Sequence, residues 1–123
     1  MPDTVRPIPP AIRGQKYISL TTFRKNGVAV ATPVWFGEDT GKLYVMTRSV
    51  MGKTKRIRNN PQVRVAPCTI RGKITGQEFA ASARILPLEE RSHARQTINR
   101  KYLLARLTSV FSRADVFLEL TFP

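Results

Sequence analysis

The chain is poor in the side chains that most often carry catalysis or bind metals. Its 123 residues include one cysteine, Cys68, and one histidine, His93. A single cysteine excludes an internal disulfide framework and suits a reducing compartment. No CxxC, HExxH, GxGxxG or Walker pattern occurs, so neither a zinc site nor a nucleotide P-loop is supported. We expect a buried free thiol at Cys68, a solvated surface residue at His93, no metal site and no catalytic side chain.

Long apolar runs are also missing. No stretch approaches the roughly 18 residues that span a bilayer. The opening segment MPDTVRPIPPAIRG carries an acid and four prolines where a signal peptide would have an apolar region. We therefore expect a soluble, cytoplasmic protein. The length predicts one domain over residues 1–123, because most domains hold about 100–200 residues, and the 41% hydrophobic content is typical of a packed globule.

Acidic residues are absent from one contiguous third of the chain. The formal net charge is +13, and no Asp or Glu occurs between Asp39 and Glu78. The nine cations of that stretch are Lys42, Arg48, Lys53, Lys55, Arg56, Arg58, Arg64, Arg71 and Lys73. Such a field attracts anions of several kinds, including nucleic acid and phosphorylated cofactors. No aromatic residue lies between Met46 and Pro67, where a nucleic-acid surface would use stacking rings, so a nucleic-acid-binding module is the weaker alternative.

Strand patterns account for much of the chain. Alternation and β-branched content predict six strands, over residues 16–23, 28–36, 42–47, 62–68, 77–86 and 115–123. The Asn26-Gly27 pair predicts a tight hairpin between the first two. Pro33 cannot donate to a sheet ladder, so the second strand must lie at an edge, form a bulge or face something other than a neighbouring strand. The segment GEDTG, residues 37–41, is assigned to a turn.

Two segments have helical spacing. In residues 50–59 an apolar face forms from Val50, Thr54 and Ile57, and the Asn60-Pro61 pair ends the helix. Residues 87–113 predict one long helix that starts at a proline and two glutamates, as the macrodipole favours. The fold class is therefore mainly β, a small six-stranded barrel with one short and one long helix.

The short helix divides its four cations by position. Lys53 lies on the flank of the apolar face, whereas Lys55, Arg56 and Arg58 point progressively away from it. A lysine beside a buried face packs its stem and can bring its ammonium to a fixed anion. The spacing alone is equally consistent with four cations that keep the helix soluble.

The turn before this helix has the donors of an anion site. A helix N-terminus presents unpaired N–H groups and a positive dipole end. Thr47 and Ser49 add hydroxyl groups, and Arg48 adds a bidentate guanidinium. Ser49 has an equally ordinary explanation as an N-cap without a ligand.

The stretch KLYVMTRSVMGKTKRIRNNPQVRVAPC resembles the flavin- and deazaflavin-binding split-barrel family that includes pyridoxamine 5′-phosphate oxidase. The shared features are a strand ending at Thr47, then Lys53, then Asn60-Pro61 and a strand through Val63–Val65. TTFRKNGVAVATPVWF is similar to the opening hairpin of that family, and RKYLLARL before FLEL is similar to its C-terminal half. The likeness covers about residues 12–122.

The resemblance implies a homodimer with two cofactors in grooves between the subunits. Lys53 corresponds to the residue that holds the cofactor phosphate, the Pro33–Trp35 strand lies along the tricyclic ring, and Gly76-Gln77 falls where the partner subunit approaches the ring. The implied cofactor-binding residues are Pro33, Val34, Trp35, Thr47, Arg48, Ser49, Gly52, Lys53, Thr54, Arg56, Gly76 and Gln77.

The resemblance also narrows the activity. Short chains with ATPVWF and APC look most like oxidoreductases that use the deazaflavin coenzyme F420, and an acid-free cationic third suits the anionic tail of that coenzyme. We expect hydride transfer between F420 and a conjugated small molecule. Met51-Gly52 stands where many relatives have Ser or Arg, so an FMN-dependent oxidoreductase and a flavin-binding carrier stay open as alternatives. Pyridoxamine phosphate oxidation is not expected, because the oxidase's substrate-phosphate residues have no counterpart here.

Overall fold

The structure is a computed structural model that describes residues 7–47, 52–101 and 116–123. Seven strands form one antiparallel sheet: β1 Tyr17–Phe23, β2 Ala29–Trp35, β3 Gly37–Asp39, β4 Lys42–Thr47, β5 Gln62–Cys68, β6 Phe79–Ile85 and β7 Val116–Thr121. Their order in the sheet is β2-β1-β5-β6-β7-β4-β3. The helices are α1 Gly52–Asn59 and α2 Arg91–Lys101, the second preceded by a 3₁₀ turn Leu88–Glu90. The predicted mainly β split barrel with helices is confirmed.

One element was assigned wrongly from the sequence. Residues 37–41, expected to be a turn, begin with strand β3, whose Asp39 pairs with Lys42 of β4. The turn itself is limited to Thr40-Gly41, with φ of 50° and 79°. Two successive residues of positive φ are what a two-residue type I′ hairpin requires. The sheet therefore has seven strands within the described residues, one more than predicted.

Of the three positions left open for the strand with the proline, the structure shows the edge. β2 lies at the end of the described sheet and pairs only with β1 there, with Pro33 opposite Ser19. The Asn26-Gly27 hairpin joins these two strands: Gly27 has a φ of 87°, and the Val28 N–H donates to Asn26 Oδ1 at 3.0 Å. One side of β2 therefore has no neighbouring strand within the described residues. Pro33 is tolerated there because it has no N–H group to donate to a further strand.

Apolar side chains pack on both faces of the curled sheet. The barrel interior is filled from β1, β4, β5, β6 and β7 by Ile18, Leu20, Leu43, Val45, Val63, Val65, Ala81, Ala83, Val116, Leu118 and Leu120. A second group on the outer face joins Tyr44 and Phe117 of the sheet to Ala94 and Ile98 of α2. Alternate residues of β4 and β7 thus serve the two layers, as period-two side-chain direction dictates.

The helices match their predicted positions where the structure describes them. α1 buries Thr54 and Ile57, with Ile57 inserted into the barrel interior, and it ends before Asn60 as predicted. The long helix begins after Pro87 with the 3₁₀ turn and continues as α2; its predicted part beyond Lys101 lies outside the described residues. No helix in the described segments has the length and apolarity that a bilayer span needs.

Candidate functional site

A cavity of about 300 Å³ opens where β2, β4 and the two helices meet. Its lining side chains are Tyr17, Pro33, Val34, Trp35, Met46, Lys53, Ile70 and Ile98. Most of these groups are apolar, and Lys53 is the one cation among them. An apolar pocket with a few polar groups at fixed positions is the usual form of a small-molecule site, and this volume lies at the lower end of the roughly 300–1,000 Å³ range of such pockets.

The flat side chains of the cavity wall come from the first hairpin. The register of the hairpin pairs Tyr17 with Trp35, and their ring centroids lie 6.4 Å apart at an interplanar angle of 44°. The Pro33 ring lies beside the loop after β5, because a Cβ added at Gly72 would be 3.7 Å from Pro33 Cδ. Strand pairing therefore brings Tyr17 to the three lining residues Pro33–Trp35 that the sequence singled out.

Lys53 is the cation among the described lining residues of the cavity. It is half-buried on α1, and burial together with the positive charge of Arg56 lowers its pKa. None of the ion pairs formed within the described residues includes Lys53. A half-buried cation without an acidic partner is costly unless an anion compensates it.

Arg56 departs from its predicted orientation. Helical spacing places it away from the apolar face, yet its Nε donates to Thr22 Oγ1 at 2.6 Å, and Thr22 is fully buried. The side chain runs back toward the start of α1, since a Cβ built on Gly52 would be 2.6 Å from Arg56 Nη1. Its pKa is lowered by burial and by the charge of Arg24. Arg56 is therefore a fixed cation next to Lys53, whereas Lys55 and Arg58 are exposed as expected.

Four of the six acids in the described residues, Asp39, Glu78, Glu90 and Glu119, form ion pairs with cations other than Lys53 and Arg56. Glu119 lies within 3.6 Å of Lys42 and 3.1 Å of Arg84, and Arg84 also reaches Glu90 at 2.9 Å. Arg64 pairs with Glu78 at 3.5 Å. Lys42 and Arg64 belong to the cationic third of the sequence, so that stretch does not form one uniform patch. Among the described cations of that stretch that have no ion pair within the described residues, Lys53 and Arg56 are the two that are partly buried.

The other predicted site residues are spread over different environments. Thr47 and Thr54 are buried, and Gly52 is exposed at the first position of α1. Gly76 packs on Pro67, because a Cβ there would meet Pro67 Cγ at 2.8 Å. These residues do not line the cavity, and neither does Gln77, which is exposed. Arg48 and Ser49 lie outside the described residues.

Four cavity residues were not predicted from the sequence. Tyr17 and Ile98 come from elements remote in sequence, β1 and α2, and only strand pairing and helix packing bring them to β2. Met46 lies on the same outward face of β4 as Tyr44, and the two-residue period of the strand could have indicated that orientation. Ile70 lies on the loop after β5 and had no sequence signal beyond being an exposed apolar residue.

Cys68 and His93 lie in the environments expected for them, one buried and the other exposed. Cys68 is a buried free thiol whose pKa is raised by burial. His93 is exposed on α2, with Nε2 at 2.9 Å from Asp39 Oδ2 and its ring edge-on to Tyr44 at 5.5 Å between centroids. Both lie apart from the cavity lining. No cluster of three or more His, Cys, Asp or Glu suited to a metal occurs among the described residues.

Comparison with protein families gives one match that covers nearly the whole chain. The sequence profile described as pyridoxamine 5′-phosphate oxidase matches residues 6–120. No curated protein matches the chain in sequence.

Solved structures share the fold at low sequence identity. The protein Atu2129 of unknown function from Agrobacterium tumefaciens is 16% identical with a TM-score of 0.70; the match covers 87% of this chain and 48% of that one, so the chain spans about half of that protein. A FAD-binding protein from Mesorhizobium loti is 17% identical with a TM-score of 0.67, over 98% and 94% of the two chains. HutZ, a heme storage protein from Vibrio cholerae, is 16% identical with a TM-score of 0.67, over 90% and 83%. At these identities the likeness shows the fold alone.

Proposed function

Because the chain belongs to the pyridoxamine 5′-phosphate oxidase family, we propose that it is a flavin-type oxidoreductase that transfers a hydride between coenzyme F420 and a conjugated small molecule. The coenzyme supplies the hydride chemistry when bound. The protein acts as a single split-barrel domain, in the cytoplasm, and its own residues bind and orient the cofactor. FMN in place of the deazaflavin is the alternative cofactor of the same site.

The observation that carries this proposal is the pairing of a largely apolar cavity with a half-buried lysine that has no ion pair within the described residues. Pro33, Val34 and Trp35 give the wall, and Lys53 gives the cation. A ring system needs the first feature and a phosphate needs the second. A cavity of about 300 Å³ suits one ring system, and the ribityl chain and phosphate would extend toward α1.

The described residues fit the role of holding a cofactor rather than of exchanging protons. Among the described residues that line the cavity, the titratable side chains are Tyr17 and Lys53, with no carboxylate and no imidazole. The protein would therefore exclude water from one face of the ring and fix its orientation, which is the usual division of work in a cofactor-dependent enzyme.

A carrier or scavenger of a flavin would use the same residues, and one observation favours keeping it as the second candidate. The described residues that line the cavity include no carboxylate or imidazole that would act as a general acid or base. A FAD-binding protein of the same fold is consistent with either role. Turnover separates the two, because a carrier binds the coenzyme without accelerating its reoxidation.

The binding experiment titrates the purified protein separately with F420 and with FMN and follows cofactor fluorescence. We expect one of them to bind, and Lys53→Ala to weaken that binding by about tenfold to a hundredfold, since a charge-assisted phosphate contact contributes roughly 1.5–3 kcal/mol. The matched control is Lys55→Ala, which removes the same charge from an exposed position of α1. Equal losses in the two variants would point to a diffuse field, and no binding of either cofactor would refute the proposal.

The turnover experiment mixes the reduced coenzyme, the protein and a quinone as a conjugated acceptor. A rate that is proportional to protein concentration and is lowered in Lys53→Ala supports the oxidoreductase. Tight binding without acceleration by any acceptor supports the carrier.

A further inference from the structure

A buried threonine fixes the direction of Arg56. Thr22 is the penultimate residue of β1 and has no exposed surface, and its hydroxyl accepts a hydrogen bond from Arg56 Nε at 2.6 Å. This contact joins residues 34 positions apart. It occupies one of the five guanidinium N–H groups and leaves those on Nη1 and Nη2 directed toward the start of α1.

The start of α1 accommodates the guanidinium because residue 52 is a glycine. A side chain at that position would place its Cβ 2.6 Å from Arg56 Nη1. The backbone of Gly52 is not in the left-handed region, so conformational freedom does not require a glycine there. What a side chain at residue 52 would change is the position of the guanidinium, which would have to move away.

The cations near this point repel one another. The charge of Arg56 lowers the pKa of Lys53, and the charge of Arg24 lowers that of Arg56, each in addition to burial. The ion pairs within the described residues include none of these three side chains. A fixed guanidinium beside a half-buried ammonium is unfavourable alone and becomes favourable when one anion contacts both.

We propose that Thr22 is a positioning residue for the phosphate site: through its hydrogen bond to Arg56 it holds the guanidinium over Gly52, so that Arg56 and Lys53 grip one phosphate group from two sides. The inference rests on the proposed function, because it assigns the second cation of the same cofactor site. Thr22 itself is buried and acts on the ligand only through Arg56. A guanidinium is suited to the task, since its fork can bind two oxygens of one phosphate.

The test compares phosphorylated and dephosphorylated forms of whichever cofactor the unaltered protein binds. For FMN the counterpart is riboflavin, and for F420 it is the deazaflavin chromophore without its phosphate and tail. We expect Thr22→Val, which keeps the shape of the side chain, to weaken the phosphorylated form about tenfold, because the lost hydrogen bond is to a charged group. The dephosphorylated form should bind as before, and a general loss of structure would weaken both forms.

Two further variants separate positioning from folding. Thr22→Ser retains the hydroxyl and should restore the affinity of the unaltered protein. Gly52→Ala should displace the guanidinium and lower the affinity for the phosphorylated form, at little cost in stability because the tip of a flexible side chain can move. Arg58→Ala, two residues along the same helix and exposed, is the control for loss of charge. If Thr22→Val and Gly52→Ala have the same affinity for the phosphorylated cofactor as the Arg58→Ala control, the inference is overturned. The proposed function is unaffected by that result.

If the unaltered protein binds neither cofactor, the proposed function fails, and inorganic pyrophosphate decides the inference. A pyrophosphate-induced rise in melting temperature that is smaller in Thr22→Val than in Arg58→Ala would uphold the two-cation site. Equal rises, or no rise in the unaltered protein, would overturn it.

Discussion

A half-buried lysine and a buried tyrosine lead us to expect a stability maximum in the alkaline range. Lys101 donates to the Gln15 carbonyl and its Nζ lies 3.4 Å from the centre of the Phe36 ring, and burial lowers its pKa from 10.5 to about 8. Burial, with the charge of Glu119, raises the pKa of Tyr44 from 10.0 to about 12. The folded state thus releases the lysine proton before the unfolded state does, and it retains the tyrosine proton for longer.

The sign of each effect follows from proton linkage. Between pH 8 and 10.5 the unfolded chain binds more protons at residue 101 than the folded state does, so the free energy of unfolding rises with pH. Between pH 10 and 12 the folded state binds more protons at Tyr44, so the free energy of unfolding falls with pH. Urea unfolding across this range checks the prediction. Lys101→Met should flatten the rise and Tyr44→Phe the fall, and an unchanged profile in both variants would contradict it.

At the same scale, the sequence located Lys53 of the proposed phosphate site, whereas the orientation of Arg56 differs from the one that helical spacing predicted. Lys53 was singled out because helical spacing puts it on the flank of the face formed by Thr54 and Ile57, and both of those are buried. Arg56 has the spacing of a solvated residue, and what turns it inward is Thr22, a contact across 34 positions. Local periodicity carries information about which way a side chain points, and none about a distant hydroxyl that can hold it.

Elements with strong local signals were predicted nearly to the residue. β4 and β5 have the predicted bounds, and the Asn26-Gly27 hairpin forms as expected. β3 was missed because three residues between a cavity strand and a tight turn are too few to show alternation, and only pairing with β4 makes them a strand. The cavity depends on such pairings, so its full lining could not be read from the chain.

The contact between β3 and α2 depends on the glycine at position 37. A Cβ built on Gly37 would lie 3.0 Å from the backbone carbonyl carbon and oxygen of Thr97. We expect Gly37→Ala to force α2 away from the sheet and to lower the free energy of unfolding by about 1–3 kcal/mol, the usual cost of overpacking. Because Ile98 follows Thr97 and lines the cavity, cofactor affinity should fall as well.

Urea unfolding and cofactor titration measure the two effects of this substitution. Gln96→Ala changes an exposed residue of the same helix turn and serves as the control, with an expected change within about 0.5 kcal/mol. A Gly37→Ala protein as stable as that control would show that the helix adjusts freely to the sheet.

At the scale of the whole molecule, the barrel has two sides of different character. Compensated ion pairs and α2 cover the outer face of β7 and β4. Toward the β2 edge, next to the cavity, the protein presents the exposed apolar side chains Val28, Ile70 and Ile74. A strand edge with exposed apolar residues is an association surface unless something covers it. This asymmetry supports the proposal that a second copy of the chain covers that side and completes the cofactor site.

If the protein is a homodimer whose interface completes the cofactor site, a substitution that breaks the dimer should also weaken cofactor binding. We expect light scattering after size exclusion to give twice the chain mass for the unaltered protein. Ile74→Glu should give the monomer mass, because a charge at a 48% exposed apolar position would be buried without a partner in the interface. The cofactor should then bind more weakly, although Ile74 does not line the cavity of one subunit.

Leu88→Glu, at a 74% exposed position on the 3₁₀ turn before α2, is the control that should remain dimeric. A monomeric unaltered protein at micromolar concentration, or a monomeric Ile74→Glu that binds the cofactor normally, would show that one subunit holds the complete site.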